Sequence, residues 1–211
     1  MANNIIGIER LGDLGVLRQG TRHYAIRNGA GLPDAMEVKV QKWTNLKTEE
    51  LNEQDVIFID RKHYNEEVCI TEGDIALTTF PTIDSQNIVY IDRTLGEEYL
   101  YGETVYIYRL IGTHTDINSE YVFSILNTGF YNKYIEQYNT GGKFKLKHNM
   151  ILDMKIPIFD KTTQQTIIKE HRLMMKEQRK IKDLEKELND RKEKINKELL
   201  KQIESFSRFL K

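Results

Sequence analysis

Three groups of basic and polar side chains in the first 150 residues could bind an anionic ligand. Arginine and lysine donate hydrogen bonds to phosphate oxygens and to guanine edges, so these groups are candidate nucleic-acid contacts. A glycine pair adds a second route, because backbone amides without side chains approach a phosphate closely. The candidates are Arg18, Arg22, His23 and Arg27; Arg61, Lys62 and Tyr64; and Gly141, Gly142, Lys143 and Lys145. Each group has a second interpretation as a solvated loop, and the glycine pair as a simple turn.

Residue types that support catalysis are sparse in this sequence. The five histidines are scattered, and no two lie four residues apart, as metal ligands on one helix face do. Neither a glycine-rich phosphate loop nor a Gly-x-Ser-x-Gly elbow is present. The single cysteine, Cys69, lies between Val68 and Ile70 and is predicted to be a small core residue. We therefore expect no catalytic residue, no metal and no cofactor.

Charge is distributed unevenly along the chain. Residues 160–211 hold 15 Lys and Arg against 10 Asp and Glu, whereas residues 1–159 hold 16 against 22. The acidic first part argues against broad non-specific binding of nucleic acid, which depends on neutralising phosphates. No secretion signal and no apolar run near the ~18 residues of a membrane span are found. With one cysteine, no internal disulfide can form, and we expect a soluble cytoplasmic protein.

Periodicity and turn residues predict the elements that would position these groups. Alternating or β-branched runs indicate strands, and Glu72-Gly73-Asp74 indicates a tight turn. A helix is predicted to begin after Asn118 or Ser119 and to break near Gly129. The strands are expected at 36–43, 55–59, 75–79, 87–92, 104–110 and 150–158, the last ending at Pro157.

The region 160–211 contains no glycine and no proline and predicts one long helix. Asp160 or Thr162 would cap it, and residues 161–209 would extend about 70–75 Å. One apolar position recurs every seven residues, and a second seam is interrupted by Glu185 and Lys192. The predicted packing residues are Met174, Ile181, Leu184, Leu188, Ile195, Leu199, Phe206 and Phe209. This stripe favours packing against another helix, with a solvated arm as the alternative.

The order of several short motifs resembles a target recognition domain of type I restriction–modification specificity subunits. The motifs lie at 11–13, 72–78, 118–123, 141–146, 154–158 and 164–168, and they cover nearly the whole chain. The resemblance implies an α+β fold with a β-rich recognition domain over 1–159. It also implies a spacer helix over 160–211 that pairs in an antiparallel coiled coil.

The resemblance also carries expectations about function. A specificity subunit of this family holds two recognition domains and two antiparallel helices, and it is not itself catalytic. This chain has one of each, so we expect a homodimer, or pairing with another specificity subunit, that reads a bipartite double-stranded DNA site. DNA methyltransferase subunits would be partners, with or without a restriction nuclease subunit. The alternative is an interaction adaptor or a specificity-subunit mimic that dimerises through its helix without binding DNA.

Overall fold

The computed structural model describes residues 5–21, 33–48, 51, 53, 56–82, 85–112, 116–138 and 144–209, without the side chains of His63 and of 204–209. The chain divides into two compact units, Met1–Ile168 and Lys169–Lys211. The first unit contains every described strand, the short helices and the first residues of a long helix, which continues through the described residues of the second unit.

Nine strands form within the described part of the chain: β1 Ile5–Arg10, β2 Gly15–Gln19, β3 Ala35–Gln41, β4 Val56–Asp60, β5 Ile75–Thr78, β6 Ile88–Tyr90, β7 Tyr99–Tyr101, β8 Val105–Leu110 and β9 Lys155–Phe159. The helices are α1 Leu11–Leu14, α2 Trp43–Thr48, α3 Ser119–Ile125, α4 Tyr131–Glu136, α5 His148–Leu152 and α6 Lys161–Phe209. Two short 3₁₀ turns cover Arg61–His63 and Glu66–Val68. The predicted α+β class is confirmed.

The strands form three sheets. A four-stranded antiparallel sheet has the order β2-β8-β5-β6, and a three-stranded sheet has the order β4-β3-β7. Within the second sheet, β3 pairs antiparallel with β4 and parallel with β7. Strands β1 and β9 form a separate antiparallel pair.

The four-stranded sheet separates two apolar clusters. Ile75 and Leu77 of β5 belong to one cluster, together with residues of α3, α4, α5 and α6. Ala76, between them on β5, belongs to the other cluster, which includes the three-stranded sheet. Because successive strand residues point to opposite faces, β5 is buried on both sides and forms the centre of the first unit.

The predicted turn before β5 has a specific backbone requirement. Gly73 has φ of +86°, a conformation in which a side chain is strained. The next residue, Asp74, is fully buried, and its carboxylate accepts hydrogen bonds from Thr71 N, Tyr101 Oη and the Arg109 guanidinium. The Gly-Asp sequence therefore positions a buried acceptor at the start of a central strand.

Local helix signals in the sequence are confirmed. Asn118 caps α3, since its side chain accepts a 2.7 Å hydrogen bond from Glu120 N. The helix is interrupted at Thr128 and Gly129, and Gly129 has φ of +88°. The chain then continues as α4.

The expected strand over 150–158 is partly wrong. Residues His148–Leu152 form helix α5, and strand β9 begins only at Lys155. Pro157 does not end the strand, which continues to Phe159 with Pro157 opposite Ile8. Proline is tolerated there because β9 belongs to a two-stranded sheet, where one side of each strand needs no ladder hydrogen bond.

The start of α6 is fastened by two polar side chains. Asp160 accepts from Thr163 N at 3.0 Å and from Thr163 Oγ1 at 2.8 Å, which lowers the pKa of Asp160. Buried Gln164 donates to Phe159 O at 2.8 Å and to Asp116 O at 3.1 Å. Of the two predicted caps, Asp160 is therefore the one used.

Candidate nucleic-acid interface

The first basic group begins where β2 leaves the four-stranded sheet. Gly20 N donates to Val105 O at 2.9 Å, and Thr21 N donates to Tyr101 O at 2.7 Å. These bonds hold the two residues that follow β2 against the end of β7 and the start of β8.

Strand register places several loops at the same end of that sheet. The last residue of β2 lies opposite Tyr106, and the last residue of β5, Thr78, lies opposite Val105. Leu77 in turn lies opposite Ile88, the first residue of β6. The β2–β3 connection therefore begins at the same end of the sheet as the β5–β6 loop and the β7–β8 turn.

Lys145, from the third basic group, lies at this end beside an exposed aromatic ring. Leu146 N donates to Thr79 O at 2.9 Å, which fixes the segment against the end of β5. The Lys145 ammonium lies 6.0 Å from the centroid of the Phe80 ring, and Phe80 is 50% exposed. A cation above an exposed ring provides a charge for a phosphate and an apolar face for a base or sugar.

The loop that carries Phe80 is held by a buried amide. Asn87 is 2% exposed, accepts from Thr82 N at 3.0 Å and donates to Thr82 O at 2.6 Å. It also donates to Asn132 Oδ1 at 3.0 Å. Phe80 N donates to Thr78 Oγ1 at 3.2 Å, which anchors the backbone that carries the exposed ring.

Arg18 connects the first and second basic groups. Its guanidinium donates to Glu67 Oε1 at 2.6 Å, and Glu67 belongs to the 3₁₀ turn that follows the second group. His148, three residues after Lys145, has its Nε2 2.7 Å from the carbonyl oxygen of Leu17. Arg18 therefore lies beside the turn that follows the second group, and the helix that follows Lys145 contacts the backbone of β2.

The second basic group combines two exposed cations with a partly buried tyrosine. Lys62 Nζ lies 2.6 Å from Asp60 Oδ2, and Arg61 is exposed. The Tyr64 hydroxyl donates to Glu97 O at 3.1 Å and lies 3.2 Å from Cys69 Sγ. Burial, followed by that contact with Cys69, raises the pKa of Tyr64. Within this group, Arg61 and Lys62 keep the most exposed charge for a ligand.

Six predicted contact residues lie outside the described residues: Arg22, His23, Arg27, Gly141, Gly142 and Lys143. Of the remaining five, Arg18, Arg61, Lys62 and Tyr64 lie on or beside β2 and the two 3₁₀ turns, and Lys145 lies at the sheet end. Sequence inspection missed Phe80. Its signal was an aromatic residue directly before Pro81, at the end of a predicted strand.

The described residues contain no metal-binding cluster, and the single cysteine is partly buried. Among the described residues, no cluster of three His, Cys, Asp or Glu could hold a metal ion. Cys69 is half-buried, and burial raises the pKa of its thiol, so less of the reactive thiolate forms.

Helix α6 exposes a continuous apolar stripe beyond its first turns. Every predicted packing residue whose side chain is described is exposed, from 38% at Met174 to 63% at Leu184. Leu173, Leu200 and Ile203 add further exposed apolar surface. The side chains of Phe206 and Phe209 lie outside the described set. Across the described residues, none of the helices has the length and apolar character needed to cross a membrane.

Comparison with known proteins shows similarity only in structure. No protein-family model and no curated protein matches this sequence. The crystal structure of the HsdS subunit from Thermoanaerobacter tengcongensis has a TM-score of 0.57 and 15% identity, covering 84% of this chain and 44% of that chain. A chain from a structure on complex assembly and conformational transition of the type I R-M system has a TM-score of 0.51 and 10% identity. That match covers 81% of this chain and 38% of the other. This chain therefore has the fold of part of a type I restriction–modification specificity subunit, as its sequence motifs indicate.

Proposed function

We propose that this chain is the non-catalytic DNA-recognition subunit of a type I restriction–modification methyltransferase system. The observation that carries the proposal is the meeting of several loops at one end of a rigid sheet, around Phe80 and Lys145. Base-reading side chains are commonly presented on loops that a rigid scaffold holds. The shared fold supports the same conclusion.

The proposed assembly contains two copies of the chain. The chain spans 44% and 38% of the two solved chains, and the exposed stripe of α6 offers a surface for a second copy. Two identical recognition units related by a two-fold axis read identical half-sites, so the target is a split palindrome. In the alternative assembly, this chain pairs with a different specificity subunit and not with a second copy of itself. DNA methyltransferase subunits, with or without a nuclease subunit, complete the complex.

Selection from randomised DNA duplexes tests the proposed function. The tagged chain is purified from its host with its partners, and the bound duplexes are sequenced. We expect an adenine or cytosine methyltransferase to co-purify and one split palindrome to be enriched. Absence of any enriched sequence, with the methyltransferase present, contradicts DNA recognition.

Removing the three arginines of the first basic group is expected to weaken specific DNA binding strongly. Changing Arg18, Arg22 and Arg27 to alanine removes three cations, each worth about one unit of the salt dependence of binding. We expect at least a ~100-fold rise in Kd for the selected duplex, measured by fluorescence anisotropy. Sedimentation should show unchanged self-association. An unchanged Kd would mean that these residues do not face DNA.

Phe80→Ala is expected to weaken DNA binding while leaving the fold intact. Losing the burial of this half-exposed ring against the duplex costs about 1 kcal/mol or more, or roughly fivefold or more in Kd. Phe58→Ala is the matched control, because Phe58 is similarly exposed at 43% but belongs to strand β4 of the other sheet. Equal effects of the two substitutions would contradict a specific role for Phe80.

The second candidate function is an interaction adaptor that does not bind DNA. The excess of 22 acidic over 16 basic residues in 1–159 favours it. Salt separates the two candidates, because DNA affinity falls steeply with rising salt in proportion to the phosphates contacted. A complex with a protein partner that persists at high salt, together with no duplex binding at low salt, would favour the adaptor.

A further inference from the structure

The exposed Phe80 ring is anchored on both sides along the chain. Before the ring, Thr79 is buried, and its backbone N–H donates to Thr104 O at 2.9 Å. After the ring, Pro81 is buried and its φ is fixed, so the position of Phe80 is closely coupled to that of Thr82. Where the ring lies therefore depends on what holds Thr82.

The backbone of Thr82 is held by the side chain of Asn87. The Asn87 Oδ1 accepts from Thr82 N at 3.0 Å, and the Asn87 Nδ2 donates to Thr82 O at 2.6 Å. The other N–H of the same amide donates to Asn132 Oδ1, on helix α4, at 3.0 Å. Because Asn87 is 2% exposed, solvent does not replace a lost partner freely. Asn132 thus satisfies the buried amide that fixes the loop.

Helix α4 holds Asn132 in a defined place. Tyr131 and Ile135, on the core-facing side of α4, are buried in the same apolar cluster as Ile75 of β5. The break before α4, where Gly129 has a positive φ, gives the helix a new direction. Asn132 lies about 100° around the helix from Tyr131 and is half-buried. It therefore lies at the border of the core-facing side, where it reaches the loop.

We propose that Asn132 is a positioning residue for DNA binding, which acts through Asn87 to hold the Phe80 ring in place. The proposal rests on the proposed function, since it assigns the ring to the DNA. Lys145 is held by the other anchor, at the end of β5, so the two anchors together keep ring and ammonium 6.0 Å apart before DNA binds. A contact that is ordered in advance loses less conformational entropy on binding.

Removal of the Asn132 side chain leaves a buried N–H of Asn87 without its acceptor. The Asn87 amide regains a partner only by rotating, and rotation breaks its two hydrogen bonds to Thr82. We therefore expect the Phe80 loop to loosen. Strand β5 should not change, because its pairing with β6 and β8 does not involve Asn132.

Amide hydrogen exchange in the full chain, followed by NMR, tests this anchor without DNA. We expect Asn132→Ala to speed exchange of the Thr82 amide about 2–12-fold, the range for one hydrogen bond, while exchange in β5 stays unchanged. Asn132→Asp keeps the acceptor and should stay within about twofold of the wild-type rate. Tyr131→Phe is the control on the same helix and should have no effect, because the Tyr131 hydroxyl has no hydrogen-bond partner among the described residues. Unchanged exchange in Asn132→Ala, or equally fast exchange in Asn132→Asp, overturns the proposal.

A double-mutant cycle on the selected duplex, with the chain purified together with its partners, tests the role in recognition. Asn132→Ala should raise Kd about threefold or more, but by no more than Phe80→Ala does. In the Phe80→Ala background, Asn132→Ala should change Kd by less than about 1.5-fold, since the ring that it positions is absent. A general loss of stability would instead raise Kd by the same factor in both backgrounds.

The two experiments separate this role from the proposed function. Equal factors in the two backgrounds, in a chain that binds the duplex, overturn the role of Asn132 and leave DNA recognition standing. A wild-type chain that binds no duplex overturns both the proposed function and the role of Asn132 in it.

Discussion

Asp74→Ala is expected to lower the free energy of unfolding of the first unit by about 3 kcal/mol or more, because it removes one partner of a largely buried ion pair. Asp74 has no exposed side-chain surface, and the Arg109 side chain is 29% exposed. The carboxylate raises the pKa of Arg109 and accepts two hydrogen bonds from its guanidinium, at 2.6 and 2.8 Å. Removing it also leaves the buried Tyr101 hydroxyl and Thr71 N–H without this acceptor.

Urea unfolding monitored by circular dichroism measures the effect of Asp74→Ala. Asp153→Ala is the control, because Asp153 pairs with Arg10 at 2.9 Å on the surface, where the side chains are 60% and 49% exposed. Exposed pairs contribute about 0–1 kcal/mol, so the control should unfold near the wild-type midpoint. Similar losses of unfolding free energy for the two variants would contradict a larger stabilising contribution from the buried pair than from the exposed one.

Gly20→Ala is expected to destabilise the first unit and to displace the base of the first loop. A Cβ at Gly20 would meet the carbonyl oxygen of Gly102 and, at 2.5 Å, that of Tyr101. Both are backbone atoms at the end of β7, so this part of the chain must move away from Gly20 to admit the methyl group. Overpacking of this kind costs about 1–3 kcal/mol, and separation also weakens the Thr21–Tyr101 hydrogen bond.

Gly112→Ala is the matched control for Gly20→Ala, because a Cβ there meets nothing within 4 Å. Thermal unfolding should show a clear loss for Gly20→Ala and little change for Gly112→Ala. Under the proposed function, Gly20→Ala should also weaken DNA binding more than its stability loss explains, since Arg22 and Arg27 follow it closely in the sequence. Equal melting temperatures for both variants would contradict the close approach at Gly20.

Local signals in the sequence predicted much of the secondary structure. Asn118 and Asp160 cap their helices because their short side chains bond to backbone amides two or three residues away. Gly73 and Gly129 both adopt positive φ, as expected for glycines at a turn and a helix break. Each of these features depends only on neighbours within one helical turn of the chain.

The features that the sequence did not predict correctly depend on contacts between residues far apart in the chain. Pro157 lies inside β9 because that strand pairs with β1, about 150 residues earlier in the chain. The parallel pairing of β3 with β7 and the burial of β5 on both faces also had no local signal. Phe80 was missed for the same reason, since its proximity to Lys145 depends on the Leu146–Thr79 hydrogen bond.

The stripe of α6 and the order of its charges are properties of the sequence alone, because in a continuous helix the spacing of residues determines which side chains share a face. The candidate interface is different. Arg18 meets Glu67, and Lys145 meets Phe80, only after the sheets have formed. Those pairs join segments tens of residues apart, and the free energy that selects them is the burial of two apolar clusters on either side of β5. That burial is a property of the assembled first unit, which no short stretch of sequence encodes.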